Sequence, residues 1–368
     1  RQKAFLQFSV ASEASGGRGG LFSQISRLEI DKPVDEESIR SGIQYVNERH
    51  DCADFTASGL LRMLYKYPEH PRLSPELARE IKASILNFKY WIDEPGKELM
   101  CFWSENHQIM FHSDQYLAGQ LYPEETFTNI DKPGIWHVER ARPRILRWID
   151  LKAKTGFAEW DSNVYYDEDM TPLLNLADFA EDEEIQTRAA MILDVMFFDM
   201  AVDSYKGTYG SSHGRTYPGS ILSGRKEPTS GVQKIAWGMG CFNNPNNMTA
   251  VSLATSSGYR VPEVIESIAQ DLPDALVNRE RQSFNLEDGP DLGIPFDDAE
   301  TAMMAWGSGM GTRQNPETAL ATADAFNSHR FSVVIRPYAQ SVWGTYDALD
   351  AQGTPHDRDL DRGTDLPP

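Results

Sequence analysis

The stretch Cys101-Phe-Trp-Ser-Glu-Asn-His-Gln108, continued by Ile109-Met-Phe-His-Ser-Asp-Gln-Tyr-Leu-Ala-Gly-Gln-Leu121, decides how this chain is read. Ile109, Leu117 and Leu121 alternate with Met110, Tyr116 and Ala118 at three- and four-residue steps, which is helical spacing. Ser104 is placed to be the N-cap, with Gln108 near the first turn. Glu105, Asn106 and His107 then project from the helix end into whatever space that end faces. The plainer alternative is that Asn106 and His107 only satisfy backbone groups at a helix start.

Outward from this segment the pattern stays helical. Glu36–Arg49 carries Ile39, Ile43, Tyr45 and Val46, and Asp54–Tyr67 carries Phe55, Leu60, Leu61, Met63 and Leu64. Ser74–Trp91 opens on Ser-Pro-Glu-Leu, a capped start with proline at the first helical position. On the other side, Gly134–Thr155 is expected to be helical with a kink at Pro143. Asp169–Glu181 and Asp182–Tyr205 follow as helices. Residues 1–34, small and then glycine-rich over Ser12–Gly20, read as an N-terminal extension of loop or edge character. Serial helices without a convincing strand form a bundle, a superhelical solenoid or a closed toroid. The absence of a fixed-period repeat weighs against the solenoid.

Beyond Tyr205 the texture changes. Lys206–Ser230 is dense in Gly, Ser, Tyr and charged groups, and long loops of this kind are usually functional. Helices are expected again at Gly231–Gly240, Pro245–Ser257, Pro262–Gln270 and Pro316–Asn327. Phe331-Ser-Val-Val-Ile-Arg-Pro-Tyr338 is the best strand candidate, followed by an acidic tail to residue 368.

Bulk properties narrow the function classes. With 40% hydrophobic residues over 368 positions, the chain can bury a sizeable core. A formal charge of −20, from 55 acidic against 35 basic residues, argues against a nucleic-acid surface, which needs clustered Lys and Arg. An anionic polymer would have to meet a local basic or amide-rich cleft. Cys52, Cys101 and Cys241 are far apart and match no zinc or disulfide framework. No run is long and apolar enough to span a bilayer. The acidity, with 8 Trp and 14 Tyr, suits a secreted or periplasmic sugar-processing protein, and a cytosolic enzyme is compatible with the same composition. The chain is expected to start after a removed leader and to continue past its tail.

Three polar clusters fall at loop–helix junctions: Glu105-Asn106-His107, Trp160-Asp-Ser-Asn-Val-Tyr-Tyr166 and His213-Gly-Arg-Thr-Tyr217. The second follows the first by about two helices, so neighbouring hairpins could bring them into one cleft. An Asn-His pair opening an inner helix, with an Asp-Ser segment ending in tyrosines two helices on, resembles the (α/α)-toroid polysaccharide lyases, such as the alginate lyases and heparinase II/III-like enzymes. The likeness spans roughly residues 35–220. It differs in Glu105 directly before the pair and in the lack of glycine before Tyr165. The resemblance implies a mainly α, (α/α) toroid or incomplete barrel of helical hairpins over residues 35–330. It also implies β-elimination on a uronate-containing polysaccharide, without a cofactor. Asn106 would neutralise the uronate carboxylate, His107 would be a base, and Tyr165 or Tyr166 the acid/base.

The chemistry accounts for these residue types. A proton α to a carboxylate is removed only if donors stabilise the developing dianion, a task for Asn106 with help from Arg215. A cation beside a phenol, Arg215 or His213, would tune the tyrosine. Tyr165 and Tyr166 could equally be core-packing residues or make a loop hydrogen bond, and His213 and Tyr217 read more simply as surface-loop residues. Trp103 and Trp160, each adjoining a polar cluster, are candidate sugar platforms, with Glu105 and His112 lining the same cleft. Helical toroids also host glycoside hydrolases that use two carboxylates, and Glu105, Glu159, Asp161, Asp167 and Glu168 are candidates for that role. A non-catalytic glycan-binding helical domain is the third reading. His107 and His112 are not spaced as an HExxH pair, so no metal is assigned.

Overall fold

The computed structural model describes residues 1–11, 20–285, 288–294 and 304. Thirteen helices lie among them: α1 (Gln2–Ala11), α2 (Leu21–Glu29), α3 (Glu36–Asn47), α4 (Ala53–Lys66), α5 (Pro75–Asn87), α6 (Glu105–Leu121), α7 (Gly134–Thr155), α8 (Tyr165–Phe179), α9 (Glu183–Val202), α10 (Pro218–Ile221), α11 (Thr229–Ala236), α12 (Met248–Thr255) and α13 (Glu263–Gln270). Among the described residues, sheet is confined to two antiparallel two-residue ladders, β1 (Thr126–Phe127) with β2 (Lys132–Pro133) and β3 (Ser204–Tyr205) with β4 (Thr208–Tyr209). The protein is mainly helical.

Local chemistry sets many of the boundaries. Asp35 caps α3 through the amides of Glu37 and Ser38, and Asp182 caps α9 through those of Glu184 and Ile185. Ser74 accepts from the Leu77 amide while Pro75 fills the first position of α5. Gly156, at φ +74°, ends α7 in a backbone conformation suited to glycine. Pro143 lies inside α7, which continues through it as one element.

Helices alternate between two degrees of burial. In α4 every residue from Ala53 to Leu64 is buried, in α6 every residue from Glu105 to Gly119, and in α12 every residue. Of Tyr165–Ala177 in α8, only Glu168 reaches the surface. By contrast, α5, α7 and α13 bury a single face. The deeply buried helices neighbour one another in series: α2 lies on α4, α4 on α6, α6 on α8, α8 on α12, and α12 again on α2. Flanking them, α3 meets α5, α7 meets α9, and α9 meets α13.

Polar bonds join like ends of the buried helices, so these run in the same direction. At the N-terminal ends His107 of α6 pairs with Asp54 of α4, Asn106 of α6 with Glu168 of α8, and Asn247, the cap of α12, with Asp167 of α8. At the C-terminal ends Arg62 of α4 donates to Asn175 and Asp178 of α8 and to Thr255 and the Ser252 carbonyl of α12.

Several expectations are corrected. Residues 2–11 and 21–29 are not a loop or edge: Phe5, Leu21, Phe22 and Ile25 are buried, and α2 belongs to the main helical body. The helix expected from Asp169 begins at Tyr165, because Ser162 Oγ accepts from the Tyr165 amide and starts the turn. Ser104 stands at the N-cap of α6, but its hydroxyl donates to Asn106 Oδ1 at 2.7 Å instead of capping the backbone. The expected helix at 316–327, the strand at 331–338 and the acidic tail lie outside the described residues.

Candidate active site

The parallel buried helices bring their N-terminal ends to one side of the molecule, and the three polar clusters meet there. Glu105 ties the first cluster to the second. Its carboxylate accepts from the amides of Ala158 (3.0 Å) and Glu159 (2.9 Å), the residues just before Trp160, and forms an ion pair with Lys152. Both partners of that pair are buried. Glu105 therefore holds a loop, where the sequence suggested a sugar contact or an acid.

The second and third clusters are stitched together by a run of short bonds. Gly214 N donates to the Trp160 carbonyl (2.9 Å), Ser162 Oγ to the Arg215 carbonyl (2.6 Å) and Thr216 Oγ1 to Asn163 Oδ1 (2.6 Å). His213 Nδ1 lies 2.5 Å from the Asp161 carbonyl. Gly214 is required by this packing, since a Cβ there would stand 2.7 Å from the Trp160 ring and 2.9 Å from its backbone nitrogen. Asn163 is held from beneath by Glu227, whose carboxyl burial pushes up to about 7.

The centre of the arrangement is a pair of phenols. Tyr165, the first residue of α8, has its hydroxyl 2.5 Å from that of Tyr217. The Arg215 guanidinium lies 3.8 Å from the centroid of the Tyr165 ring, a stacked cation–π contact. Its Nη2 donates to the Tyr217 oxygen at 3.1 Å and its Nη1 to Glu159 Oε1 at 2.7 Å. Burial raises the Tyr165 pKa, and neighbouring Glu168 adds to the shift while Arg215 opposes it. Burial works against the Arg215 cation, but Glu159 outweighs it and holds the guanidinium firmly charged. Tyr217 is 46% exposed and Trp160 37%, so this cluster opens to solvent where a ligand can reach it.

Asn106 and His107 flank the pair in different ways. Asn106 is buried, and its Nδ2 donates to Glu168 Oε2 at 2.9 Å, one turn along α8 from Tyr165. Its amide is thus engaged by a carboxylate of the protein itself. His107 turns to α4: Nδ1 lies 2.6 Å from Asp54 Oδ2, and the ring stacks on Phe55 at 5.1 Å.

Two expected site residues are placed in the core. Tyr166 is wholly buried, with its hydroxyl 3.3 Å from Asp199 and its ring against Phe157, because successive residues at a helix start face about 100° apart. His112 is also fully buried, 4.2 Å from the Trp91 ring, and burial lowers its pKa well below the usual imidazole value. Trp103 is half-buried against the core and accepts from Gln108 at its carbonyl.

The structure also assembles groups that the sequence did not single out together. Donor atoms of Asp51, Cys52 and His107 lie within 4.8 Å of one another, as do those of Asp161, Asp203 and Glu280. The second set edges a cleft of about 820 Å³ that is also lined by Tyr205, Ser211 and Leu276. There burial and Asp161 push the Glu280 carboxyl up to about 8. Compared with protein-family models, curated proteins and solved structures, the chain matches none.

Proposed function

We propose that the protein is an (α/α)-toroid carbohydrate-active enzyme that cleaves a uronate-containing polysaccharide by β-elimination, in a secreted or periplasmic setting. The serial contacts of α2, α4, α6, α8 and α12, returning from α12 to α2, support a toroid of inner helices with α3, α5, α7, α9 and α13 outside. The observation that carries the catalytic reading is the Tyr165–Tyr217 phenol pair beneath Arg215.

β-Elimination needs an acceptor for the C5 proton, a donor for the leaving oxygen and a positive charge for the carboxylate that becomes a dianion. Burial and Glu168 keep the proton on Tyr165, so Tyr165 is the acid. The accepting oxygen is that of Tyr217, which the step requires as the phenolate and to which Arg215 Nη2 donates. The C5 proton passes to Tyr217 as the C4–C5 double bond forms. The bond from C4 to the glycosidic oxygen breaks, and Tyr165 protonates the leaving group. Transfer of the C5 proton across the 2.5 Å contact then returns Tyr165 to the phenol and Tyr217 to the phenolate. Arg215 is the neutraliser of the uronate carboxylate, and Asn106 acts by positioning Glu168. Trp160, next to this cluster, offers an exposed face for a sugar ring.

The glycoside hydrolase reading is less well supported, since Glu105 is tied to Lys152 and two amides and Glu159 to Arg215. The test is the ultraviolet absorbance of an unsaturated uronide during digestion of a panel of anionic polysaccharides. Reducing ends without that absorbance would replace the lyase with a hydrolase. Binding without any turnover would leave a glycan-binding domain.

A further inference from the structure

The segment before α4 and the first turn of α6 are distant in sequence, yet they place three different metal-ligating groups together. A carboxylate oxygen of Asp51, Sγ of Cys52 and a ring nitrogen of His107 all lie within 4.8 Å of one another. Donors sharing one tetrahedral zinc ion stand roughly 3.3–3.7 Å apart, as bond lengths of about 2.0–2.3 Å require. Side-chain rotation of about an ångström closes the set.

The surroundings are those of a built ligand shell. His107 is fixed through Nδ1 by Asp54, which is fully buried on the first turn of α4, and a carboxylate on one imidazole nitrogen leaves the lone pair of Nε2 for a metal. The second carboxylate oxygen of Asp54 is buried with no hydrogen bond among the described residues, so the acid is committed to His107. Phe55 stacks on the imidazole and restricts its rotation. Cys52 occupies the N-cap of α4 at φ +64°, a left-handed conformation costly for a residue with a Cβ, and the turn holding it is pinned by Tyr45 Oη donating to the Asp51 carbonyl at 2.6 Å. Asp51 is exposed and Cys52 half-buried, so the site has a route from solvent.

We propose that Asp51, Cys52 and His107 bind a zinc-class divalent cation, with Asp54 as the positioning residue behind His107. A thiolate with an imidazole selects a borderline transition ion over calcium or magnesium, which take oxygen donors. Two anionic donors and a neutral imidazole balance the dication, and three protein donors leave a fourth position for water or a ligand group. The inference does not depend on the lyase reading, because its readouts are those of the metal.

The test uses the full chain, stripped with a chelator and titrated with Co²⁺. A thiolate-to-cobalt charge-transfer band should grow to one equivalent and vanish on adding Zn²⁺. Cys52→Ser should lose the band, and Asp54→Asn should keep it but weaken binding about 10- to 100-fold. Should Cys52→Ser fail to fold by circular dichroism, alkylation of the unaltered chain decides: Zn²⁺ should slow modification of Cys52 at least tenfold and leave Cys241 unaffected. No charge-transfer band in folded protein, a band that survives Cys52→Ser, or equal alkylation with and without Zn²⁺ would each overturn the site.

Discussion

Asp178→Asn should be among the most damaging single substitutions in this protein, and worse than Arg62→Met. Arg62 is completely buried, and each of its three nitrogens donates: Nε to Thr255 Oγ1 at 2.9 Å, Nη1 to Asn175 Oδ1 at 2.8 Å, and Nη2 to Asp178 Oδ2 at 2.6 Å and the Ser252 carbonyl at 2.9 Å. Only Asp178 supplies negative charge. Replacing it with Asn leaves a buried guanidinium among neutral acceptors, which costs about 3–5 kcal/mol. The reverse removal is milder. Asp178 also accepts from Ser256 Oγ at 2.7 Å and from the amides of Ser257 at 3.0 Å and Gly258 at 2.7 Å. Without Arg62 the carboxylate keeps these three donors, and the loss falls to about 1–3 kcal/mol. The double substitution should cost less than the two singles added together, since the partners share one network. Urea unfolding followed by tryptophan fluorescence reads these costs as shifts of midpoint at constant slope. A cost below about 1 kcal/mol for Asp178→Asn, or a larger one for Arg62→Met, would refute the claim that this ion pair locks α4, α8 and α12 together.

On an active polysaccharide, Tyr165→Phe and Tyr217→Phe should each slow turnover about 10²- to 10⁴-fold with circular dichroism unchanged. Full activity in either variant would remove the phenol pair from the chemistry. Gly214→Ala should raise KM more than it lowers kcat, because the added carbon displaces the Trp160 ring; an unchanged KM would separate Trp160 from the sugar. The carboxyls of Asp167, Asp199 and Glu227 are each held up to about 7, chiefly by burial. Between the unfolded value near 4 and 7 the folded state binds more protons, so their stabilisation is complete below about pH 4 and is lost as pH rises through about 7. The urea midpoint of the unaltered protein, compared with Asp167→Asn between pH 5 and 8, should fall more steeply with rising pH. Parallel profiles would show that Asp167 does not titrate in this range.

The sequence discloses its helices where burial is one-sided and caps are local. Asp35, Ser74 and Asp182 announce α3, α5 and α9 within a few residues, and α13 falls where Pro262 predicts it. Legibility fails where burial is all round. From Glu105 to Gly119, α6 hides Gln108, His112, Ser113, Asp114 and Gln115 as fully as Ile109 and Leu117, so no polar face marks its orientation. His112 accordingly reads as a cleft residue from spacing alone and proves to be a core residue under Trp91. Glycine spacing over Ser12–Gly20 overshadows Leu21, Phe22 and Ile25, and so conceals α2. The three polar clusters were visible because each is dense within a few residues, and helix direction explains why they converge. Their internal division of labour was not visible, because it is set by partners more than 50 residues away: Asp54 for His107, Glu168 for Asn106, Tyr217 for Tyr165. An acid at the first turn of one buried helix and a histidine at the first turn of the next parallel one can meet only if the two helices start level. That shared starting level makes Asp54–His107 a constraint on the fold and, with Cys52 one residue before α4, a constraint on what the fold can bind.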